Sequence, residues 1–538
     1  MTNLESERYF FVPLNKYDMV IEKNDGTLII PPHIKKRYLY CSQQDEKIYL
    51  LNNMEGTLFS YELTNRQVQY LFLFSQDFLK NQIYFNIHQK LLYFLSNDGV
   101  FRVFDFDGRQ ISEQKLPHSW RAFCFDEQFN FYVVSEWTLQ IWKYNKGNYS
   151  LLKSFPIDGI GEISITSKDG LIYLTDSEEN IIRAYNWDGK VVMEAITPHI
   201  YPIGQIWLNN QLYILYGGLW NEVGYENRSW QEQKPFFHPL FIHEKQVNHY
   251  KIFCTNSFTI DFYYEEHIEH PERIKHFPWV IRMKLPENDH HQTIEEVLPL
   301  GLPFQKKENG FVEFVVTNQA KMPTAFGFKA RVKLKSIKFL PNEKIHLSHS
   351  TLLSVREIEE LEANHPFFDF FIQSSNDDVE ILKYCRNLIY NQLFYEKNKK
   401  AINYREVWED GYGTCGDYSS LMLIACYKNN LAAQSATGYK VPRFYFGHHF
   451  TFSAYYNHTW LEVYDEDGIH LPMESSSDDK EKNGRFSLGQ FLGLDWSHIK
   501  LYNGKAFPNF ISFPSHPDVH PFDVFRHPSV FMTIIDEE

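Results

Sequence analysis

Residues 408–430 read WEDGYGTCGDYSSLMLIACYKNN. Gly411, Gly413 and Gly416 surround Cys415, and an apolar run of helical length follows. The glycines predict a turn and the run predicts a helix that begins close to the cysteine. A cysteine on the first turn of a helix faces amide N–H groups that have no intrahelical acceptor, and it sits at the positive end of the helix dipole. Both favour the thiolate, so Cys415 reads as a candidate nucleophile. Cys385 and Cys426 lie inside apolar helical stretches instead and read as small core residues.

Helical periodicity first appears just upstream, in LLSVREIEELEANH (352–365) and DDVEILKYCRNLIYNQLFYEKN (377–398). Downstream come strand-like segments, FYFGHHFTFSAYY (444–456) and NHTWLEVYDEDGIHLPMESS (457–476). His458 opens a strand with Trp460, Glu462 and Tyr464 on one side and Leu461 and Val463 on the other. A DEDG turn at 465–468 leads to a further strand that reaches Glu474.

Taken together, GYGTCGDYSSLM, LAAQSATGYKV, NHTWLEVY and LPMESS resemble the transglutaminase-like superfamily. Its papain-like core runs in the order Cys on a helix, His on a strand, Asp on the following strand. The resemblance covers roughly 345–500 and implies an α+β catalytic domain with Cys415, His458 and Glu474 as its catalytic residues. Glu474 stands where that family usually has Asp, with Asp478 and Asp479 just beyond as the alternatives. A glutamate is one methylene longer but can still accept the imidazole N–H. The chemistry implied is covalent acyl transfer through a thioester on Cys415, with the Cys415 backbone N–H contributing to an oxyanion hole. Trp408, Tyr404 and Tyr412 are candidates for a side-chain donor or site lining. His448 and His449 read as exposed or packing residues on a strand near the site.

Residues 249–345 alternate apolar with polar in IDFYYEEHI, WVIRMKLP, GFVEFVVT and FKARVKLKSIKFL, which predicts a small antiparallel β-sandwich preceding the core. A sandwich often precedes the core in the resembled family. The stretch around it holds His238, His243, His249, His267, His270, His276, His290 and His291. Their spacing matches no HxxxH helix or Cys/His knuckle, so no metal site is read there and no cofactor is implied.

The first 248 residues repeat. Phrases centred on Tyr9, Tyr49, Tyr93, Tyr132, Tyr173 and Tyr213 are separated by 40, 44, 39, 41 and 40 positions. A second strand follows about 12 residues on, and then a turn such as DFDG (105–108) or NWDG (186–189). A β-rich period of about 40 residues predicts an all-β propeller of about six blades, with a seventh possible around 228–260. The recurring tyrosines are then blade core, and the propeller is a platform for a protein partner or substrate.

The expected chain is thus multidomain: a propeller over 1–248, a sandwich over 249–345 and a transglutaminase-like domain over 346–538. The 91 aromatic residues among 538 supply enough apolar surface to exclude a disordered or collagen-like chain. A net charge of −15 disfavours nucleic acid and anionic membrane as partners, and the resemblance implies a protein or peptide substrate. Six cysteines without a CxxC pair suit a reducing compartment, and the N-terminal segment MTNLESERYFFVPL lacks the pattern of a secretory signal. A cytoplasmic cysteine hydrolase or acyltransferase is the leading expectation, and a non-catalytic interaction scaffold on the same fold is the alternative.

Overall fold

The fold was obtained as a computed structural model, which describes residues 10–13, 19–22, 28–29, 39–504 and 528–538, apart from 441–450 and scattered loop positions. The chain divides into two compact units. One comprises Met1–Ile242 with Glu481–Gly489, the other His243–Lys480 with Gln490–Glu538.

The first unit is built from antiparallel sheets, four of which follow the chain in simple up-and-down order. They begin with strands Leu39–Gln44, Gln82–His88, Trp120–Phe125 and Ile163–Lys168. The repeat explains each sheet: Tyr49, Tyr93, Tyr132, Tyr173 and Tyr213 all fall on the second strand of a sheet. Of these, Tyr49, Tyr93, Tyr132 and Tyr173 are buried. Turns after the third strands place Gly108 and Gly189 at φ of +79° and +77°, where a side chain is strained.

Side chains stitch successive first strands together. Asn86 donates to the carbonyl of Phe123, Ser167 to that of Phe125, and Gln205 to that of Ser164. The fifth first strand, Pro202–Leu208, neighbours Leu39–Gln44 and so completes a ring, the arrangement of a β-propeller. Among the described residues, the six recurring phrases are distributed over five sheets. The earliest strands, Phe10–Pro13, Met19–Glu22 and Leu28–Ile29, build no sheet of their own. They extend the fifth, Leu28–Ile29 pairing with Phe236–Pro239. Tyr9 lies outside the described residues. Among the described residues, the stretch 228–260 supplies the second strand of a two-stranded hairpin, that closing strand, and the start of the second unit.

The second unit is organised by two long strands, Tyr250–His267 and Ala325–Pro341, paired antiparallel. Alternation along the latter buries Phe326, Phe328, Ala330, Val332 and Leu334 on one face. On the other face, Arg331 meets its cross-strand partner Asp261 through two hydrogen bonds of 2.8 and 3.1 Å. The buried face packs on a three-stranded sheet formed by Trp279–Lys284, Phe304–Lys306 and Phe311–Val316, completing the expected sandwich.

That sandwich and the segment after it share one sheet. Gly493–Leu494 pairs with Ile337 and Lys338 on one side and, in parallel, with Met473 on the other. The sheet continues through His470–Met473, Asn457–Tyr464 and Ala433–Lys440 to His498–Asn503. Against it packs helix Cys415–Lys428, on which helix Asp378–Gln392 packs in turn. No described helix is long and apolar enough to cross a membrane.

Candidate active site

Cys415 is the first residue of the helix Cys415–Lys428. Thr414 caps it: its hydroxyl accepts from the Asp417 amide, while the Asp417 carboxylate accepts from the Thr414 amide at 2.8 Å. Among the described residues no acceptor takes the amides of Cys415 or Gly416, the ordinary state of a helix N-terminus and an available pair of donors. Gly413 and Gly411 precede the cap, Gly411 closing the helix Tyr404–Asp410 at φ +75°.

The strand Asn457–Tyr464 brings His458 to this helix start. Its Nε2 lies 2.8 Å from Oε2 of Glu474, and the ring interacts with the Cys415 side chain, each favouring the charged form of the other. With Nε2 on the carboxylate, Nδ1 is left for the sulfur. The Thr459 amide also favours the thiolate form of Cys415. Glu474, fully buried, directly follows the strand His470–Met473 that comes after the DEDG turn. Its second oxygen accepts from the amides of Ser476 and Ser477 at 2.9 and 3.1 Å, which fixes the carboxylate plane. Lys440 Nζ stands 3.7 Å from Oε2.

Burial alone would neutralise all three groups, and their mutual charges reverse that outcome. Desolvation pulls the His458 pKa down, but the Glu474 charge and the hydrogen bonds to Cys415 and Glu474 raise it to about 9. Desolvation likewise pushes Cys415 up, and the hydrogen bond and charge of His458, with the Thr459 amide, bring it below the ordinary thiol value. Glu474 is held well below the carboxylate range despite its burial, by His458 and Lys440 and by hydrogen bonds from His458 and His498. Buried Cys385 and Cys426 go the other way, their thiols pushed up by desolvation, Cys385 to about 12.

Glu474, rather than Asp478 or Asp479, meets His458. Asp478 is engaged by the buried Arg386 and accepts from the Gln490 amide at 3.0 Å. Asp479 accepts from the Tyr418 hydroxyl at 2.7 Å, and burial raises its pKa to about 6.

The three aromatic candidates lie on the elements just upstream of Cys415. Trp408 packs its ring on Phe370 and Phe371, with centroids 4.7 and 5.5 Å away. Tyr404 opens the helix Tyr404–Asp410. Tyr412 is exposed beside Phe394, on a two-residue parallel ladder that leads into Cys415. His448 and His449 lie outside the described residues, as does His276.

One residue that the sequence did not single out joins the cluster. His498, fully buried, places Nε2 2.8 Å from the same Glu474 oxygen that His458 meets. His458, Glu474 and His498 group donor atoms closely enough to suggest a metal. However, both nitrogens lie 2.8 Å from that oxygen, shorter than the donor separation of about 3.3 Å implied by tetrahedral bonds of about 2.0–2.1 Å. These are hydrogen-bond geometries.

Residues 371–475 match the family described as the transglutaminase-like superfamily. The matched span includes Cys415, His458 and Glu474, so the second unit carries a transglutaminase-like domain, the fold of a class of cysteine-dependent enzymes. No curated protein matches the chain. Among solved structures, a candidate cysteine protease from Cytophaga hutchinsonii aligns at 12% identity over 55% of this chain and 91% of its own, with a TM-score of 0.31. BamB from Moraxella catarrhalis aligns at 13% identity over 38% and 68%, with a TM-score of 0.24. A protein of unknown function from Bacteroides caccae aligns at 13% over 39% and 82%, with a TM-score of 0.27. All three are distant likenesses.

Proposed function

We propose that the chain is a cysteine-dependent acyl-transfer enzyme acting on a peptide or protein amide, with hydrolysis as its reaction. The observation that carries this reading is the placement of His458 between the Cys415 side chain and the Glu474 carboxylate, with the thiol pKa lowered and the imidazole pKa raised. Opposite shifts of this kind make a thiolate–imidazolium pair, the reactive form of a cysteine nucleophile.

In the reaction, the Cys415 thiolate attacks the amide carbonyl carbon. Charge collects on the carbonyl oxygen, where the free amides at the helix start can donate to it. The C–N bond breaks as His458 gives its proton to the departing amine, leaving a thioester on Cys415. His458 then takes a proton from water. The resulting hydroxide equivalent attacks the thioester, the C–S bond breaks, and the thiolate is restored beside a reprotonated imidazole. An amine in place of water yields a new amide, the transglutaminase-type outcome. Glu474 keeps the ring oriented and offsets its charge in both half-reactions.

The propeller recruits the substrate in this reading. A polar cavity supports it, lined by Asn86, His88, Phe125, Ser167, Gln205 and Trp207 from the first strands of four successive sheets. Mass spectrometry of the intact chain with an activated peptide ester tests the chemistry. An acyl adduct on Cys415 that is lost in Cys415→Ala is expected. If Cys415 is acylated and alkylated no faster than a free thiol, the chain is a non-catalytic scaffold on this fold.

A further inference from the structure

The Glu474 carboxylate is shared. His458 Nε2 and His498 Nε2 both approach Oε2 at 2.8 Å, from strands on either side of Ala433–Lys440. Behind His498, Nδ1 lies 3.1 Å from Asp495 Oδ1 and 3.2 Å from the Asp495 carbonyl. Asp495 is itself fixed, its carboxylate accepting from the Ser497 amide at 3.0 Å and from the Ser497 hydroxyl. The His498 carbonyl is 2.8 Å from His291 Nε2. The Trp460 ring meets His498 edge-on at 5.2 Å. Every one of these groups is buried.

Both ring nitrogens of His498 thus face oxygens that only accept. A neutral imidazole has one donor and one acceptor, so two such contacts require both nitrogens to carry hydrogen. Removal of His498 would leave a lone pair of a buried carboxylate without its donor.

We propose that His498 is a positioning residue of the site: an imidazolium, held by Asp495, that aims the Glu474 carboxylate at His458 and limits how much negative charge Glu474 presents to it. The proposal rests on the cysteine-dependent reading above. Its logic is that Glu474 alone would hold the His458 proton too firmly for transfer to a leaving amine. A second cation on the same oxygen weakens that hold, keeping the acid nearer the working pH. The charged or titratable groups facing the cluster are Cys415, His458, Lys440, Asp495 and His291, with Arg386 and Tyr390 on the helix behind Glu474.

The test is the pH dependence of iodoacetamide alkylation of Cys415, followed on its own peptide by mass spectrometry in the full-length chain. In His498→Gln, which retains a neutral N–H donor, the alkaline limb moves to higher pH, because His458 loses a cationic neighbour. Asp495→Asn moves it in the same direction. In His498→Leu, which has no donor, the rate falls on the order of tenfold or more at every pH, as losing the partner that orients a functional group typically does. Nitrogen-15 NMR of histidine-labelled wild-type chain, which needs no variant to fold, should show both His498 ring nitrogens protonated at neutral pH. One unprotonated nitrogen overturns the proposal, as do limbs in His498→Gln that coincide with wild type. Wild-type Cys415 that alkylates no faster than a free thiol overturns the underlying enzyme reading instead.

Discussion

The charge on Glu474 controls the candidate site at the scale of single residues. The His458 pKa is raised to about 9, with Glu474 as the largest favourable cause. The pair Cys415 thiolate and His458 imidazolium therefore exists above the lowered thiol pKa and disappears as pH rises through about 9. A plot of kcat/KM against pH is expected to be bell-shaped, with its alkaline limb near that value. Glu474→Gln keeps the size of the side chain but removes the charge. Its alkaline limb should move acidward and kcat should fall on the order of 10²–10⁴-fold, the usual worth of a general acid–base arrangement. An unchanged limb would mean that Glu474 does not govern His458. The signs for stability follow. His458 has a raised folded pKa, so its contribution is complete below the unfolded value and is lost as pH climbs through about 9. Glu474 is depressed, so its contribution is present above the ordinary carboxylate range and is lost in acid.

Elements explain what the sequence showed and what it hid. Cys415 was legible because a helix start has a local signature, here flanking glycines and then an apolar run, to which the structure adds the Thr414 cap and Asp417 three residues later. The capping box gives a direct expectation. Thr414→Ala should cost about 0.5–2 kcal/mol in helix stability and slow Cys415 alkylation, measurable by denaturant melts and thiol kinetics on the same sample. His498 was hidden because nothing in WSHIKLY distinguishes a histidine facing a carboxylate from one facing solvent. Its meaning depends on a strand pairing, Lys440 with His498, that spans 58 residues. The glycine at 438 makes that pairing close. A Cβ there would stand 1.8 Å from the Ile499 carbonyl oxygen, and Gly438 is also the register partner of His458. Gly438→Ala must push the strand His498–Asn503 away, at roughly 1–3 kcal/mol or more for overpacking a core. The expected result is a lower melting temperature together with a loss of Cys415 reactivity larger than that of Thr414→Ala. Wild-type reactivity in Gly438→Ala would separate the strand spacing from the chemistry.

On the scale of the whole chain, the 40-residue period revealed the sheets but not how they are shared out. A period reports local strand-turn-strand units, and closure of a ring is a contact between residues about 200 positions apart. The phrase around Tyr9 therefore looked like one more unit, whereas its neighbours Phe10–Pro13, Met19–Glu22 and Leu28–Ile29 complete the sheet that Pro202–Leu208, Gln211–Tyr216 and Phe236–Pro239 begin. Ring closure through both ends of a repeat has a physical consequence. Each of the other sheets owns all its strands, but the fifth depends on Leu28–Ile29 pairing with Phe236 and Phe237, both buried. Deleting residues 1–30 leaves the other four sheets with their full sets of strands and exposes the unpaired amides and carbonyls of Phe236–Pro239 as a sheet edge. The truncated chain is expected to melt at lower temperature in its propeller transition and to associate through that edge, while Cys415 alkylation, which depends on residues of the second unit, stays at the full-length rate. Differential scanning calorimetry with light scattering reads the first two effects and thiol kinetics the third. A propeller transition unchanged by the deletion would show that Leu28–Ile29 contributes nothing to closing the ring.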